Sequence, residues 1–305
     1  MRYSLEEIET FLTVMELGTV TAAAARLNLS KSVVSKRVSE FEGNLGVALF
    51  RRNAGRILPT EAAERLALRL RPALQELQAA TESTSWSIEG VEVLRGDLAS
   101  AAPMSFGTLH LSAMLARFAA QHPELKLRLD YDDRTRDLAR EGFDLGIRIG
   151  QSPGEALMSR KLCEDRYVTC ASPDLLARLP QINQPQDLNG QPVIGYSHVS
   201  NAELWAFRHE GQLIQPAVVE KMSVNNGEAM RTMAEAGLGL AMLPAFIAMP
   251  ALATGALQEV LPHCATRPLP ILAVWPPVTP MPAKLRALID HLRRETEAGP
   301  PWLTL

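Results

Sequence analysis

Cysteine is scarce in this chain, with Cys163, Cys170 and Cys264 the only three among 305 residues. Three is an odd number and too few for a disulfide framework. Cys163 and Cys170 sit in apolar, strand-like stretches and read as small buried hydrophobes, with a redox-sensing pair as the alternative. Long apolar runs are missing too. No stretch of about 18 residues could span a bilayer, and the opening Met-Arg-Tyr-Ser-Leu-Glu-Glu-Ile-Glu-Thr is too acidic and amphipathic for a signal peptide. No membrane partner and a cytoplasmic location are the expectations. A phosphate-binding glycine loop and a serine nucleophile elbow are both lacking, and Gly237-Leu238-Gly239 alone is too short to signal a dinucleotide. The six histidines (His110, His122, His198, His209, His263, His291) show no ligand spacing. No catalytic residue, no metal site and no cofactor are therefore expected, and an enzyme is disfavoured. Strong charge of one sign is also absent, since 31 basic residues face 34 acidic ones for a net of −3.

That balance conceals a local excess. Residues 1–60 carry eight cations against six carboxylates, and six of the eight are Lys31, Lys36, Arg37, Arg51, Arg52 and Arg56. Clustering rather than total charge makes a footprint for phosphate. The same region reads as two short helices and a turn. Thr21 to Leu27 is a run of small side chains that another helix can cross closely. Asn28-Leu29 turns the chain, and Ser30 is suited to cap the next helix. There Val34, Val38, Phe41 and Leu45 share one face. Lys31, Ser32, Ser35, Lys36, Arg37 and Ser39 lie on or beside the opposite one. An apolar back with a hydroxyl-and-cation front fits the DNA major groove. Val33 either touches a thymine methyl or packs inward. Arg51-Arg52-Asn53-Ala54-Gly55-Arg56 reads as a basic wing turning at Gly55.

A first helix over residues 5–17, with Ile8, Phe11, Leu12 and Met15 on one side, packs beneath this unit. Thr60 should cap a further helix from Glu61 to about Ser85, on the order of 35–40 Å long. Its stripe Leu66, Leu70, Leu74 and Leu77 suits pairing with a second copy, with packing into the chain's own core as the alternative, and Pro72 should kink it or begin a new segment. From Gly96 strands alternate with helices. Strands are expected at Asp97–Ala102, Leu125–Tyr131, Asp144–Ile149, Met158–Ser172 (a pair), Val193–Tyr196, Val218–Val224, Leu238–Leu243 and Leu269–Trp275. Helices are expected at Leu109–His122, Asp137–Glu141, Gly227–Ala236 and Ala283–Glu297. The rhythm implies a mostly parallel sheet with helices on its faces, binding ligands beyond the strands' carboxyl ends. Gly299-Pro300-Pro301 and the last four residues read as a loose tail.

These motifs together resemble the LysR-type transcriptional regulators over essentially the whole chain. The N-terminal ones are Phe11-Leu-Thr-Val, Ala22-Ala-Ala-Ala-Arg-Leu27, Ser30-Lys-Ser-Val-Val-Ser35, Leu45-Gly-Val-Ala-Leu-Phe-Arg-Arg52 and Leu58-Pro-Thr-Glu-Ala62. The C-terminal ones are Ala102-Pro-Met-Ser-Phe-Gly107, Glu141-Gly-Phe-Asp-Leu-Gly-Ile-Arg-Ile-Gly150, Ala171-Ser-Pro173, Val224-Asn-Asn-Gly-Glu-Ala229 and Ala236-Gly-Leu-Gly-Leu-Ala-Met-Leu-Pro244. Two positions depart from the family pattern, Lys31 for its usual glutamine and Ala63 for its usual glycine. Lysine favours guanine edges or phosphate over adenine, whereas alanine simply suits a helix.

The resemblance implies a winged helix-turn-helix domain (1–60), a linker helix that dimerises (61–90) and an effector-binding domain (91–305). That last domain would be a two-lobed α/β unit like the type 2 periplasmic-binding-protein fold, with lobe one at 91–163 plus 268–297 and lobe two at 164–267. The implied partners are double-stranded promoter DNA, a second copy in a dimer or a tetramer of two dimers, RNA polymerase, and a small-molecule effector between the lobes. By motif position that effector would meet Met104, Ser105, Phe106, Asp133, Arg148, Tyr196, Ser197, His198 and Asn225. Ser105 has the alternative of capping its helix, and Arg148 of pairing with Asp144. The cluster Asp130, Asp132 and Asp133 either favours a cationic ligand or forms a solvated turn. A binding or transport protein built on the C-terminal domain alone is the competing class.

Overall fold

The computed structural model describes all residues except 1–2, 54–55, 84–86, 89–90, 151–155, 210, 298 and 305. Packing divides the chain into two units. One comprises residues 1–93, 136–144 and 276–285, and the other residues 94–135, 145–275 and 286–305.

The first unit begins with α1 (Leu5–Leu17), opened by a reciprocal cap between Ser4 and Glu7 and closed by Gly18 in the left-handed region. Thr19 caps α2 (Val20–Arg26), and Ser30 caps α3 (Lys31–Leu45) by accepting from the Val33 N–H. Asn28 takes the positive φ that the turn between α2 and α3 requires, a conformation asparagine tolerates better than most residues. Val14, Ala23, Ala24, Val34 and Val38 form the core where the three helices meet. The alanines there let α2 approach α3 closely. The antiparallel strands β1 (Phe50–Asn53) and β2 (Arg56–Pro59) make the wing. Its base is pinned by the Glu42 carboxylate, which accepts the Leu49 and Phe50 N–H groups at 2.7 and 3.0 Å. The Ala54-Gly55 turn expected at its tip lies outside the described residues.

Thr60 then caps α4 (Glu61–Ser83), accepting from the Ala63 N–H at 3.2 Å. Pro72 does not end this helix. Proline removes the hydrogen bond to the carbonyl of Leu68, and Leu68 is exposed, so water can satisfy that carbonyl. The leucine stripe divides between two environments. Leu66, Leu70 and Leu74 pack on their own chain's core of Ile8, Phe11, Leu12, Phe41, Leu49, Ala63 and Ala67, while Leu77 is exposed. A short hairpin, β3 (Ser87–Ile88) with β4 (Val91–Glu92), follows. Helix α7 (Leu138–Glu141) joins this unit, with Arg140 2.9 Å from Glu64.

The second unit holds β5 (Gly96–Ala102), α5 (Met104–Phe106), a π-helical turn at Gly107–Leu111, α6 (Ser112–Gln121), β6 (Leu125–Tyr131), β7 (Leu145–Ile149) and β8 (Met158–Asp165). Next come β9 (Tyr167–Ala171), α8 (Pro173–Leu176), β10 (Pro192–Tyr196), α9 (Asn201–Leu204), β11 (Phe207–His209), β12 (Gln212–Ile214), β13 (Val219–Val224) and α10 (Gly227–Glu235). The chain ends through β14 (Ala241–Pro244), α11 (Ala245–Ala253), β15 (Gln258–Glu259), β16 (Ala265–Thr266), β17 (Leu269–Trp275), α12 (Ala283–Glu297) and a 3-10 turn at Pro301–Thr304.

One five-stranded sheet has the order β6-β5-β7-β17-β8, and the chain leaves it after β8 and returns through β17. Between those crossovers lie the sheets β14-β9-β15, β10-β13 and β12-β11-β16, around a core including Trp205, Phe207, Leu188 and Leu240. The two-lobed α/β expectation holds, but the sheets are mixed rather than mostly parallel. β5 runs parallel to β6 and β7, whereas β17 is antiparallel to both β7 and β8, and β9 to both its neighbours. Strands reached through a crossover arrive from the other lobe, so the local βαβ rhythm does not set their direction.

Three further expectations shift. The helix foreseen from Leu109 starts at Met104, and the strand foreseen from Leu238 starts at Ala241, after Gly237 turns with φ +73°. The loose tail is instead anchored. Trp302 is buried, its indole N–H donates to Asp165 Oδ1 at 3.0 Å, and its ring meets His110 at 4.5 Å and Phe106 at 5.7 Å. A buried tryptophan with a satisfied N–H outweighs the loop character of the Gly-Pro-Pro before it.

Candidate DNA interface and effector site

The first candidate surface is the outward side of α3 with the wing beside it. Val34, Val38 and Phe41 fix the helix from behind, and the other side presents Lys31, Ser32, Val33 and Lys36 to solvent. Ser35 is half-buried. Ser30 and Ser32 share a hydroxyl contact of 2.8 Å at the start of the helix, where free N–H groups and the helix dipole favour phosphate. The Lys36 side chain is 74% exposed and rests 3.6 Å from Glu40, an ion pair so open that it offers DNA little resistance. Arg37 departs from the expectation. Its guanidinium is drawn onto Glu6 of α1, leaving it as a clamp between helices rather than a cation on the groove face. In the wing Arg51 is exposed, while Arg52 and Arg56 stand opposite Ile57 and Asn53 in the strand register, their side chains outside the described residues.

The second candidate surface gathers at the carboxyl end of β5. The chain turns at Pro103 into α5, and the Asp133 carboxylate accepts the Met104 N–H at 2.8 Å. Burial pushes the Asp133 carboxyl above its usual range, partly offset by that N–H and by the facing His198. Asp132 is taken by Arg134 at 2.5 Å. Two of the three clustered aspartates thus take part in the local fold, Asp133 through the Met104 N–H and Asp132 through Arg134. Ser105 is buried and makes no cap for its helix. Its hydroxyl accepts from Asn226 Nδ2 at 3.4 Å, while Asn226 Oδ1 caps α10 by accepting the Ala229 N–H at 2.9 Å. The residue tying α5 to α10 is therefore Asn226, which sequence reasoning passed over for Asn225. Asn225 is exposed. The capping pattern Asn226-Gly-Glu-Ala carried the signal, since asparagine before a helix is a cap first. Gly227 at the start of α10 leaves room for Ile247 of α11, whose Cδ1 a Cβ at residue 227 would meet. Tyr196 is half-buried, its ring 5.3 Å from His198, and burial followed by the charge of Asp133 raises its phenol. Ser197 donates its N–H to the Val224 carbonyl, and its side chain is exposed. Met104 is exposed and Phe106 fully buried against Phe246 and Trp302, so Phe106 shapes the wall without facing a ligand. Arg148 is half-buried in β7 opposite Leu272.

All three cysteines are free thiols and buried, and burial pushes Cys163 and Cys170 up to about 12. Neither is a thiolate near neutral pH, which disfavours the redox-pair alternative. No helix among the described residues is long and apolar enough to cross a membrane.

A winged helix-turn-helix carried with a two-lobed small-molecule-binding fold defines a ligand-type DNA-binding regulator rather than a transport protein. Comparison with known proteins places it further. Residues 5–64 match the bacterial regulatory helix-turn-helix of the lysR family, and residues 92–297 match the LysR substrate binding domain. This chain belongs to the LysR family of transcriptional regulators. It is similar to an uncharacterized HTH-type transcriptional regulator of Haemophilus influenzae, 33% identical over 93% of this chain and 98% of that one. It is likewise similar to the HTH-type transcriptional regulator PtxR of Pseudomonas aeruginosa, 31% identical over 97% and 94%. Among solved structures it resembles CrgA, a LysR-type regulator of Neisseria meningitidis, with 26% identity, a TM-score of 0.58 and coverage of 96% and 98%. A full-length OxyR variant from Pseudomonas aeruginosa shares the fold at TM-score 0.71 and 18% identity, covering 96% and 95%.

Proposed function

We propose that the protein controls target promoters by binding operator DNA through α3 and the wing, in response to a small polar effector bound near Ser105. The observation that carries this reading is the front of α3, where Lys31, Ser32 and Lys36 are exposed over a packed apolar back. Lys31, Ser32, Ser35 and Lys36 serve bases and nearby phosphates, and Arg51, Arg52 and Arg56 anchor the wing. Residues 1–60, 61–90 and 91–305 divide the labour as DNA binding, dimerisation and effector binding. Dimerisation uses the exposed Leu77 toward the end of α4, because Leu66, Leu70 and Leu74 pack on the chain's own core. The dimer, or a pair of dimers, presents two α3 helices to one operator and meets RNA polymerase there. At the effector site Ser105, Asn226, Asp133, Tyr196 and His198 supply hydroxyl, amide, carboxyl and imidazole groups within one neighbourhood. Ser197, Arg148 and Met104 border it.

Fluorescence anisotropy of the purified protein on its own upstream DNA, against scrambled DNA, tests the division. Lys36→Ala should weaken operator binding about tenfold, the order of one lost contact. Ser105→Ala should leave that affinity unchanged and abolish its shift by effector. Equal loss of DNA affinity in both variants would refute the assignment.

A further inference from the structure

The second lobe brings together three side chains with metal-ligand chemistry. In the pairing of β11 with β16, Phe207 stands opposite Thr266 and Arg208 opposite Ala265. One more step along this antiparallel ladder sets His209 against Cys264. Cys264 Sγ lies 3.6 Å from His209 Nδ1. His263 completes the group, and one ligand atom from each of the three lies within 4.8 Å of the others. The turn that presents them runs through Leu261, a non-glycine residue held at φ +56° and closed by a hydrogen bond from the Cys264 N–H to the Leu261 carbonyl at 3.0 Å. His263 and Cys264 also line a pocket of about 420 Å³ whose other walls include Arg166, Tyr167, Glu259 and Arg267.

We propose that His209, His263 and Cys264 form a binding site for a zinc-class cation, independent of the effector site. Two imidazoles and one thiolate are borderline-to-soft donors. They select zinc(II) over the magnesium and calcium that carboxylates take. Around a tetrahedral zinc with bonds of about 2.0–2.3 Å the ligand atoms stand roughly 3.5 Å apart. His209 and Cys264 already keep that spacing. His263 is exposed and closes the remaining ångström or so by side-chain rotation. On binding, the Cys264 S–H bond breaks, its electron pair forms the S–Zn bond, and the proton passes to solvent. Three protein ligands leave the fourth position to water or a small ligand. The pocket wall includes both segments by which the chain crosses between sheets, Glu164–Tyr167 and Thr266–Pro268. An ion bound here therefore sits at the joint of the two-lobed unit.

The test uses the full-length protein, with zinc(II) competed against a chromophoric chelator and cobalt(II) as a spectroscopic substitute. The expected result is one equivalent per chain, with the thiolate-to-cobalt charge-transfer band of a tetrahedral site. Cys264→Ser should remove that band, and His263→Asn should weaken zinc binding at least about tenfold. Since His263 is exposed, its replacement does not endanger folding and decides the matter if Cys264→Ser fails to fold. Absence of tight zinc binding, a cobalt spectrum without the thiolate band, or an affinity unchanged in His263→Asn would each overturn the proposal.

Discussion

At the scale of single residues, side chains with the same formal charge have been assigned different work by their neighbours. Lys36 and Arg37 are adjacent in sequence, yet Lys36 stands in solvent beside Glu40 while Arg37 is bound to Glu6. Glu40 holds a negative charge on the same turns that meet phosphate, so Glu40→Gln should raise operator affinity by about three- to tenfold. Titrating operator DNA at fixed low salt checks this, and an unchanged affinity would place Glu40 away from the duplex. His110 supplies a pH-dependent test. Burial lowers its imidazole below its ordinary value, against a weaker opposing effect of the Phe246 carbonyl. The folded protein thus resists protonation at His110 more than the unfolded chain does. Its contribution to stability is present above about pH 6.5 and is lost as pH falls through the lowered value. His122 is lowered by burial and by His291, and acts in the same direction. Asp133 and Asp165 are raised and act oppositely, losing stability as pH rises through their folded values. The clean readout is the difference between wild type and His110→Gln. Calorimetry from about pH 8 to about pH 5 should show the variant's melting temperature falling less steeply on acidification.

At the scale of elements, the caps and packing faces of the first unit were legible because each signal is local. Ser30 before α3, Thr60 before α4 and the Val34–Val38–Phe41 face are read within one or two turns, and the structure places them so. Legibility fails where the deciding partner is far along the chain. The Leu66–Leu70–Leu74 stripe gives the same pattern whether it meets a second copy or Phe11 and Phe41 of its own chain, and only the packing tells them apart. The contact between Asn226 and Ser105, the antiparallel direction of β17 and the meeting of His209 with Cys264 span even larger separations. Trp302 belongs with these. Its burial depends on Asp165 and His110, which nothing near residue 302 announces. Two substitutions on α4 separate its core side from its exposed end. Leu70→Ala should destabilise the first unit by about 2 kcal/mol, the lower end for a leucine cut from a core, read as a lower calorimetric transition. Leu77→Asp should leave that transition in place and shift sedimentation from dimer toward monomer. If both variants instead lower the transition equally, the exposed end of α4 is not a self-association surface.

At the scale of the molecule, charge sets the terms on which DNA is met. A net of −3 repels the polyanion, so attraction must come from the face carrying Lys31, Lys36, Arg51, Arg52 and Arg56. Three to five such cations per chain give about six to ten phosphate-facing charges in a dimer with both α3 helices engaged. Each neutralised phosphate contributes about −0.9 to the slope of log affinity against log salt, so the expected slope lies between about −5 and −9. The remaining negative surface adds long-range repulsion that salt screens over about 8–10 Å. That effect flattens the slope toward the smaller value. Lys36→Ala then distinguishes the arrangements of the assembly. With two α3 helices on the operator the slope should lose about two units, and with one helix engaged about one. A slope unaltered by Lys36→Ala, with affinity reduced, would mean that Lys36 contacts a base edge without displacing a counterion. Base reading and phosphate anchoring at this position are thus separated by the salt series itself, before any operator sequence is known.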